Sequence, residues 1–167
     1  VCGRKLFQEH GCCGLQGKDW GDPLMKKYKR GYTAGVYDMF HVGHLNVIMH
    51  AKQYCDYLIV AVSTDEIVVE NKHKQPIIPY EDRARIVEAI RYVDEVVPQV
   101  DYSDKKSAAV KYGIDVMFVG DDWQGTEKWN RIERELAEID VDVVYLPYTQ
   151  SISSTMLREK IKSHSEK

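Results

Sequence analysis

The chain has 167 residues, 44% of them hydrophobic and 29% charged, with a formal net charge of −3. That length favours one compact domain over two, and a pI near 6.1 offers no broad basic field for a nucleic-acid backbone. No apolar run approaches the roughly 18 to 20 residues that cross a bilayer, and no charged-then-apolar leader opens the chain; the expectation is a cytoplasmic protein with no membrane insertion and no nucleic-acid partner.

Residues 1–30 carry no sustained period, and their basic residues outnumber Glu9, Asp19 and Asp22. The segment reads as a flexible arm or a trimmed neighbour rather than a small docking module. Cys2, Cys12, Cys13 and Cys55 make no paired CxxC pattern, so reduced thiols are expected, with Cys55 packing inside an apolar helix. From residue 31 onward, short β-branched runs alternate with amphipathic ones. In order, they predict a strand at 31–36, a helix at 43–55, a strand at 57–63, a helix at 80–92 and a strand at 94–97. A helix at 104–112, a strand at 115–119, a helix at 126–139, a strand at 142–146 and a helix at 153–163 follow, with residues 164–167 as a tail.

Helix 43–55 has apolar residues on two sides, Leu45, Ile48 and Met49 against Val47, Ala51 and Cys55, which predicts a buried helix. Helix 80–92 puts Ile86, Ala89, Ile90 and Val93 on one stripe and is expected to be one-sided. Asn71-Lys72-His73-Lys74-Gln75-Pro76 stands out as a polar loop. Strands alternating with crossover helices describe an α/β fold, an open parallel sheet of about five strands flanked by helices. Ligands of such sheets bind beyond the carboxyl ends of the strands, at the switch point.

Two segments fall where a strand hands over to a helix. His41-Val42-Gly43-His44 follows the apolar run Tyr32–Phe40. A helix start carries unpaired N–H groups and partial positive charge, which attract phosphate; Gly43 lets a ligand come close, and His41 and His44 offer donors. The same residues are compatible with a helix cap. A metal site is less favoured, because no third His, Cys or carboxylate follows at zinc-like spacing. The second segment, Ile152-Ser153-Ser154-Thr155-Met156-Leu157-Arg158, follows strand 142–146 and combines three hydroxyls with a fixed cation, a set suited to polyphosphate or to an ordinary N-cap.

HxGH near the start and ISSTxLR near the end resemble the signatures of the nucleotidyltransferase superfamily, and the arrangement implies its Rossmann-like sheet. Tyr80-Glu81-Asp82-Arg83, Arg91-Tyr92-Val93-Asp94-Glu95-Val96 and Gly120-Asp121-Asp122-Trp123 make the chain most similar to the cytidylyltransferase branch, and within it to the glycerol-3-phosphate cytidylyltransferases. The resemblance covers residues 31–163. It implies transfer of CMP from CTP to a small phosphorylated alcohol, giving CDP-glycerol, a precursor of cell-wall or capsule polymers, and pyrophosphate. It also implies Mg²⁺ with the triphosphate, a homodimer with Tyr92, Val93 and Val96 near the contact, and His41, His44 and Lys74 at the reacting phosphates.

Nucleotide contacts are expected from Val36, Tyr37, Gly43, Arg91, Asp122, Ser153, Ser154, Thr155 and Arg158, and acceptor contacts from Asp38, Lys72 and Lys74. One departure is visible. Where the cytidylyl branch carries Arg-Thr-Glu-Gly, this chain reads Tyr148-Thr149-Gln150-Ser151. Alternatives therefore remain: ATP as donor, phosphocholine, phosphoethanolamine or a sugar phosphate as acceptor, or a module that senses nucleotide without turnover.

Overall fold

A computed structural model describes residues 27–165. Five parallel strands, β1 (Tyr28–Gly35), β2 (Cys55–Ser63), β3 (Glu95–Gln99), β4 (Val116–Gly120) and β5 (Asp142–Leu146), lie in the order β3-β2-β1-β4-β5. The chain moves outward from β1 to β2 and β3, then crosses back to β4 on the other side of β1. The switch point is therefore between β1 and β4, and a crevice opens at their carboxyl ends. Helices α1 (Val42–Tyr54), α2 (Asp65–Lys72), α3 (Tyr80–Glu88), α4 (Lys105–Tyr112), α5 (Glu127–Ala137) and α6 (Ser154–Ser165) complete the domain.

β2 shows why the sheet is sandwiched. Leu58 through Ser63 are all fully buried, the continuous apolar run of a strand covered on both faces. Leu58, Val60 and Val62 pack with Ile48 and Ala51 of α1 and Val87 of α3. The alternate residues Ile59 and Ala61 pack with Ala109 of α4 and Trp129, Ile132 and Leu136 of α5. The period of two sorts one strand into two cores. At Gly31 the sheet leaves no room for a side chain, since a Cβ would lie 2.5 Å from the Phe118 ring and 2.7 Å from Cys55 Sγ.

The predicted elements occur with four differences. β1 begins at Tyr28, so Tyr28–Arg30 of the arm expected over residues 1–30 belong to the sheet, whereas residues 1–26, with Cys2, Cys12 and Cys13, lie outside the described residues. α1 ends at Tyr54, and Cys55 starts β2, buried and unbridged; only Ile48 and Ala51 of α1 are fully buried, so the helix is less enclosed than its two-sided pattern predicts. α2 lies in a stretch read without regular structure: its β-branched Ile67-Val68-Val69 has low helix propensity, and burial of Ile67 and Val68 overrides it. α3 stops at Glu88 and turns Arg83 and Val87 inward, leaving Ile86 39% exposed. Of the apolar stripe expected there, Ile90 and Val93 pack against the core just beyond the helix, whereas Ile86 and Ala89 are exposed, because the inward face of the helix holds an arginine.

Arg83 is fully buried, and each of its groups has a partner. Nε donates to Ile78 O at 2.8 Å, Nη1 to Val36 O, and Nη2 pairs with Asp65 at 2.5 Å. One guanidinium thus ties α2, α3 and the end of β1 together. Arg83→Met removes a buried cation whose partners stay behind, and is expected to destabilise the fold by about 3 kcal/mol. Urea unfolding checks this; an unchanged midpoint would contradict the tie.

Candidate active site

The turn from β1 into α1 is tightly specified. Tyr37 and Met39 adopt positive φ angles of 55° and 48°, a conformation disfavoured for side-chain-bearing residues. They bracket Asp38, which is 4% exposed. Asp38 accepts hydrogen bonds from the amides of Ile77 and Ile78 and pairs with Arg158 at 2.5 Å. Burial alone would raise its pKa, but those amides and the guanidinium outweigh it and hold the carboxyl below its usual value. Ser154 Oγ donates to Asp38 O at 2.8 Å, and Arg158 also donates to Gln75 O at 3.1 Å. Asp38 therefore fastens three segments: the β1 turn, the loop after α2, and α6.

The two histidines cap α1 reciprocally. His41 Nδ1 accepts from Gly43 N at 3.1 Å, while His44 Nδ1 accepts from the His41 amide at 3.4 Å. With each Nδ1 an acceptor, a neutral ring carries its proton on Nε2. The rings stack with centroids 3.8 Å apart at 22°, and the Tyr37 ring meets His44 edge-on at 5.3 Å. Burial, then His41, pushes His44 down to about 3, against the opposing pull of Asp38. Burial also lowers His41. At neutral pH the pair thus presents two uncharged Nε2–H donors. Gly43 is needed because a Cβ there would lie 2.9 Å from the His41 ring. Its amide, expected to be open to a ligand, is spent on His41.

His44 lines a cleft of about 600 Å³ over the carboxyl ends of the central strands. Val36, Tyr37, Lys72 and Asp122 of the expected site also line it. Lys72 has a lowered pKa, first from loss of water and then from the charge of Lys74. Asp122 folds back over Gly120, where a Cβ would lie 2.4 Å from its Oδ1, and burial raises its pKa.

Other expected residues stand elsewhere or are engaged. Lys74 is exposed and outside the cleft wall. Arg91 is exposed and folds onto its neighbour Tyr92, 4.7 Å from that ring's centroid. Ser153 Oγ caps α6 by accepting from Met156 N at 3.2 Å, and Thr155 is exposed. Asp38 pairs with Arg158 through Nη2, while the buried Nε of Arg158 has no hydrogen-bond partner. The cap reading is thus correct as structure for Ser153, His41 and His44; His44 combines it with a place on the cleft wall, whose lining does not include His41.

Sequence reasoning missed Gln99, Tyr102, Lys105, Lys128 and Trp123, all on the cleft wall. One signal for Lys105 was available: it follows the N-cap Asp104, and the first turn of a helix disfavours cations.

Residues 32–160 match the family model described as Cytidylyltransferase-like. The chain is similar to a glycerol-3-phosphate cytidylyltransferase of Bacillus subtilis, 41% identical over 133 residues, covering 80% of this chain and 97% of the relative. It is also similar to an FAD synthase of Thermococcus kodakarensis, 36% identical over 126 residues, covering 74% and 83%. The lipopolysaccharide core biosynthesis protein of Thermoplasma volcanium shares the fold, with a TM-score of 0.62 at 21% identity over 75% of this chain and 99% of that one.

The reciprocal cap separates stability from chemistry in one substitution. Asparagine is among the best N-caps, so His41→Asn is expected to cost less than about 1 kcal/mol of stability. It removes the Nε2 donor, and turnover is expected to fall by roughly 10². Denaturation and single-turnover kinetics on one purified variant check both; full activity would rule out a chemical role for His41.

Proposed function

The chain belongs to the cytidylyltransferase-like family, and on that premise we propose that it transfers CMP from CTP to glycerol 3-phosphate, forming CDP-glycerol and pyrophosphate. The observation that carries this reading is the pair of neutral, stacked, backbone-fixed imidazoles, with His44 on the wall of the switch-point cleft. An acceptor phosphate oxygen attacks the α-phosphorus in line, a P–O bond to the β-phosphate breaks, and pyrophosphate leaves with the electron pair. The acceptor is itself the nucleophile, so the protein contributes positioning and charge stabilisation.

In this reading His41 and His44 donate Nε2–H to phosphate oxygens that gain charge. Being uncharged, they strengthen as donors when the transition state forms without first binding a stray anion tightly. Lys72 supplies a cation whose charge reaches His44, and Lys74 is assigned to the phosphates from its exposed loop. Asp38 and Arg158 are assigned to holding that loop and α6 in register. Among the described residues no three His, Cys, Asp or Glu side chains cluster to hold an ion; Mg²⁺ enters the proposal as part of the triphosphate substrate. A homodimer is retained on the half-buried Tyr92, Val93 and Val96, an apolar set suited to a two-fold contact.

A second reading has its own support. Tyr148 stands where the cytidylyl branch carries arginine, it lines the cleft, and an FAD synthase is among the similar proteins. ATP would then be the donor. A pyrophosphate-release screen crossing CTP, ATP, GTP and UTP with small phosphates is expected to give turnover with CTP and glycerol 3-phosphate. Turnover with ATP alone would transfer the proposal to the second reading. CTP binding without turnover of any nucleotide would mean a sensor.

A further inference from the structure

The carboxyl ends of β1, β2 and β3 carry a row of uncharged polar groups that the clamp does not use. Gln99, the last residue of β3, pairs in register with Ser63 of β2 and lines the cleft, although it is only 4% exposed. Its Oε1 accepts from the fully buried Ser63 Oγ at 2.9 Å. Ser63 Oγ also lies 3.2 Å from Gly35 O, and it is close enough to the Tyr102 phenol to offset part of the effect of burial there. A hydroxyl carries one proton. Ser63 therefore cannot satisfy every acceptor around it.

What remains is a surplus of donors. With Oε1 committed to Ser63, Gln99 keeps the two N–H groups of Nε2, and that nitrogen makes no hydrogen bond among the described residues. The Tyr102 hydroxyl is buried and makes no hydrogen bond of good geometry either. An unmade hydrogen bond at a buried group costs about 1–3 kcal/mol, and native folds hold few of them. Both residues stand on the cleft wall. A ligand that offers neutral acceptor oxygens at this end of the cleft would satisfy both.

Resting on the proposed transfer reaction, we propose that Gln99 and Tyr102 read the hydroxyl groups of the acceptor and make an alkyl phosphate without hydroxyls a poor substitute for a polyol phosphate. Gln99 Nε2 and the Tyr102 O–H donate to the hydroxyl oxygens of the acceptor. Ser63 acts through Gln99: by holding Oε1, it fixes which end of the amide meets the ligand. The charge of the acceptor is a separate matter, since its dianion has Lys72, Lys105 and Lys128 on the same wall. A chain without hydroxyls leaves both donors buried and unpaired. That penalty, more than lost attraction, sets the discrimination.

The test is calorimetric titration of the full chain with glycerol 3-phosphate, with n-propyl phosphate, which keeps the carbon chain and loses the hydroxyls, and with CTP. It reads recognition without requiring turnover. The wild type is expected to bind glycerol 3-phosphate at least about 10-fold more tightly than n-propyl phosphate. Gln99→Leu and Tyr102→Phe are each expected to weaken glycerol 3-phosphate by about 5- to 10-fold, as for loss of a hydrogen bond between uncharged groups. Both variants should bind n-propyl phosphate and CTP within about twofold of the wild type, because neither ligand brings a hydroxyl to this row. A residue that only supports the fold would weaken the two small phosphates alike.

Tyr102→Phe removes one buried oxygen and keeps the ring, so it gives the reading if Gln99→Leu fails to fold. Its Tm is expected to hold or rise, since the lost hydroxyl had no partner. Ser63→Ala is expected to narrow the preference for glycerol 3-phosphate by freeing the amide of Gln99 to turn. Equal binding of the two small phosphates by the wild type, no binding of either, an equal loss of both in the variants, or unchanged glycerol 3-phosphate affinity in both Gln99→Leu and Tyr102→Phe overturns the assignment. Failure of the pyrophosphate screen, with these binding results intact, counts against the transfer reaction alone.

Discussion

The claim of the backbone on the Nδ1 atoms of His41 and His44 is the constraint from which the site follows. An imidazole has two nitrogens, and a cap that occupies one decides what the other does. Here α1 takes both Nδ1 atoms, so each proton sits on Nε2. Burial, and for His44 the adjoining His41 ring 3.8 Å away as well, then keeps the pair uncharged. Gly43 allows the His41 ring to fold over the helix start. The cap is local in sequence, and the turn that leads into it carries Tyr37 and Met39 at positive φ, with His44 on the cleft wall.

The rest of the charge is divided between holding and binding. Arg83 and Arg158 are spent on structure: one on carbonyls and Asp65, the other on Asp38 and Gln75. Lysines face the cleft instead. This division suits their chemistry, since a guanidinium fork satisfies several fixed acceptors at once, whereas an ammonium adapts to a moving phosphate. A chain of net charge −3 thereby builds a locally cationic cleft without a globally basic surface.

Much of this was legible in the sequence. The alternation of β-branched and amphipathic runs gives all five strands within a few residues, and HxGH locates the clamp because its chemistry is contiguous. Three things were hidden. α2 was hidden because Ile67-Val68-Val69 favours a strand and only tertiary burial makes it helical. The inward face of α3 was hidden because a fully buried Arg83 breaks the apolar stripe that pattern reading seeks. Lys105 was hidden because its meaning depends on Lys128, more than twenty residues away, and on the cleft between them. Conversely, Ser153, Ser154 and Arg158 promised phosphate contacts, and their visible bonds are caps and ties.

The measurement that bears most directly on the account is a ¹⁵N NMR titration of the imidazole nitrogens in the protein without ligand. His44, held down to about 3 by burial and His41, should keep the shifts of a neutral ring with its proton on Nε2 from pH 8 to pH 5. A His44 resonance that titrates near its ordinary value of about 6.5, or one with the proton on Nδ1, would contradict the backbone-fixed neutral clamp and the chemistry derived from it.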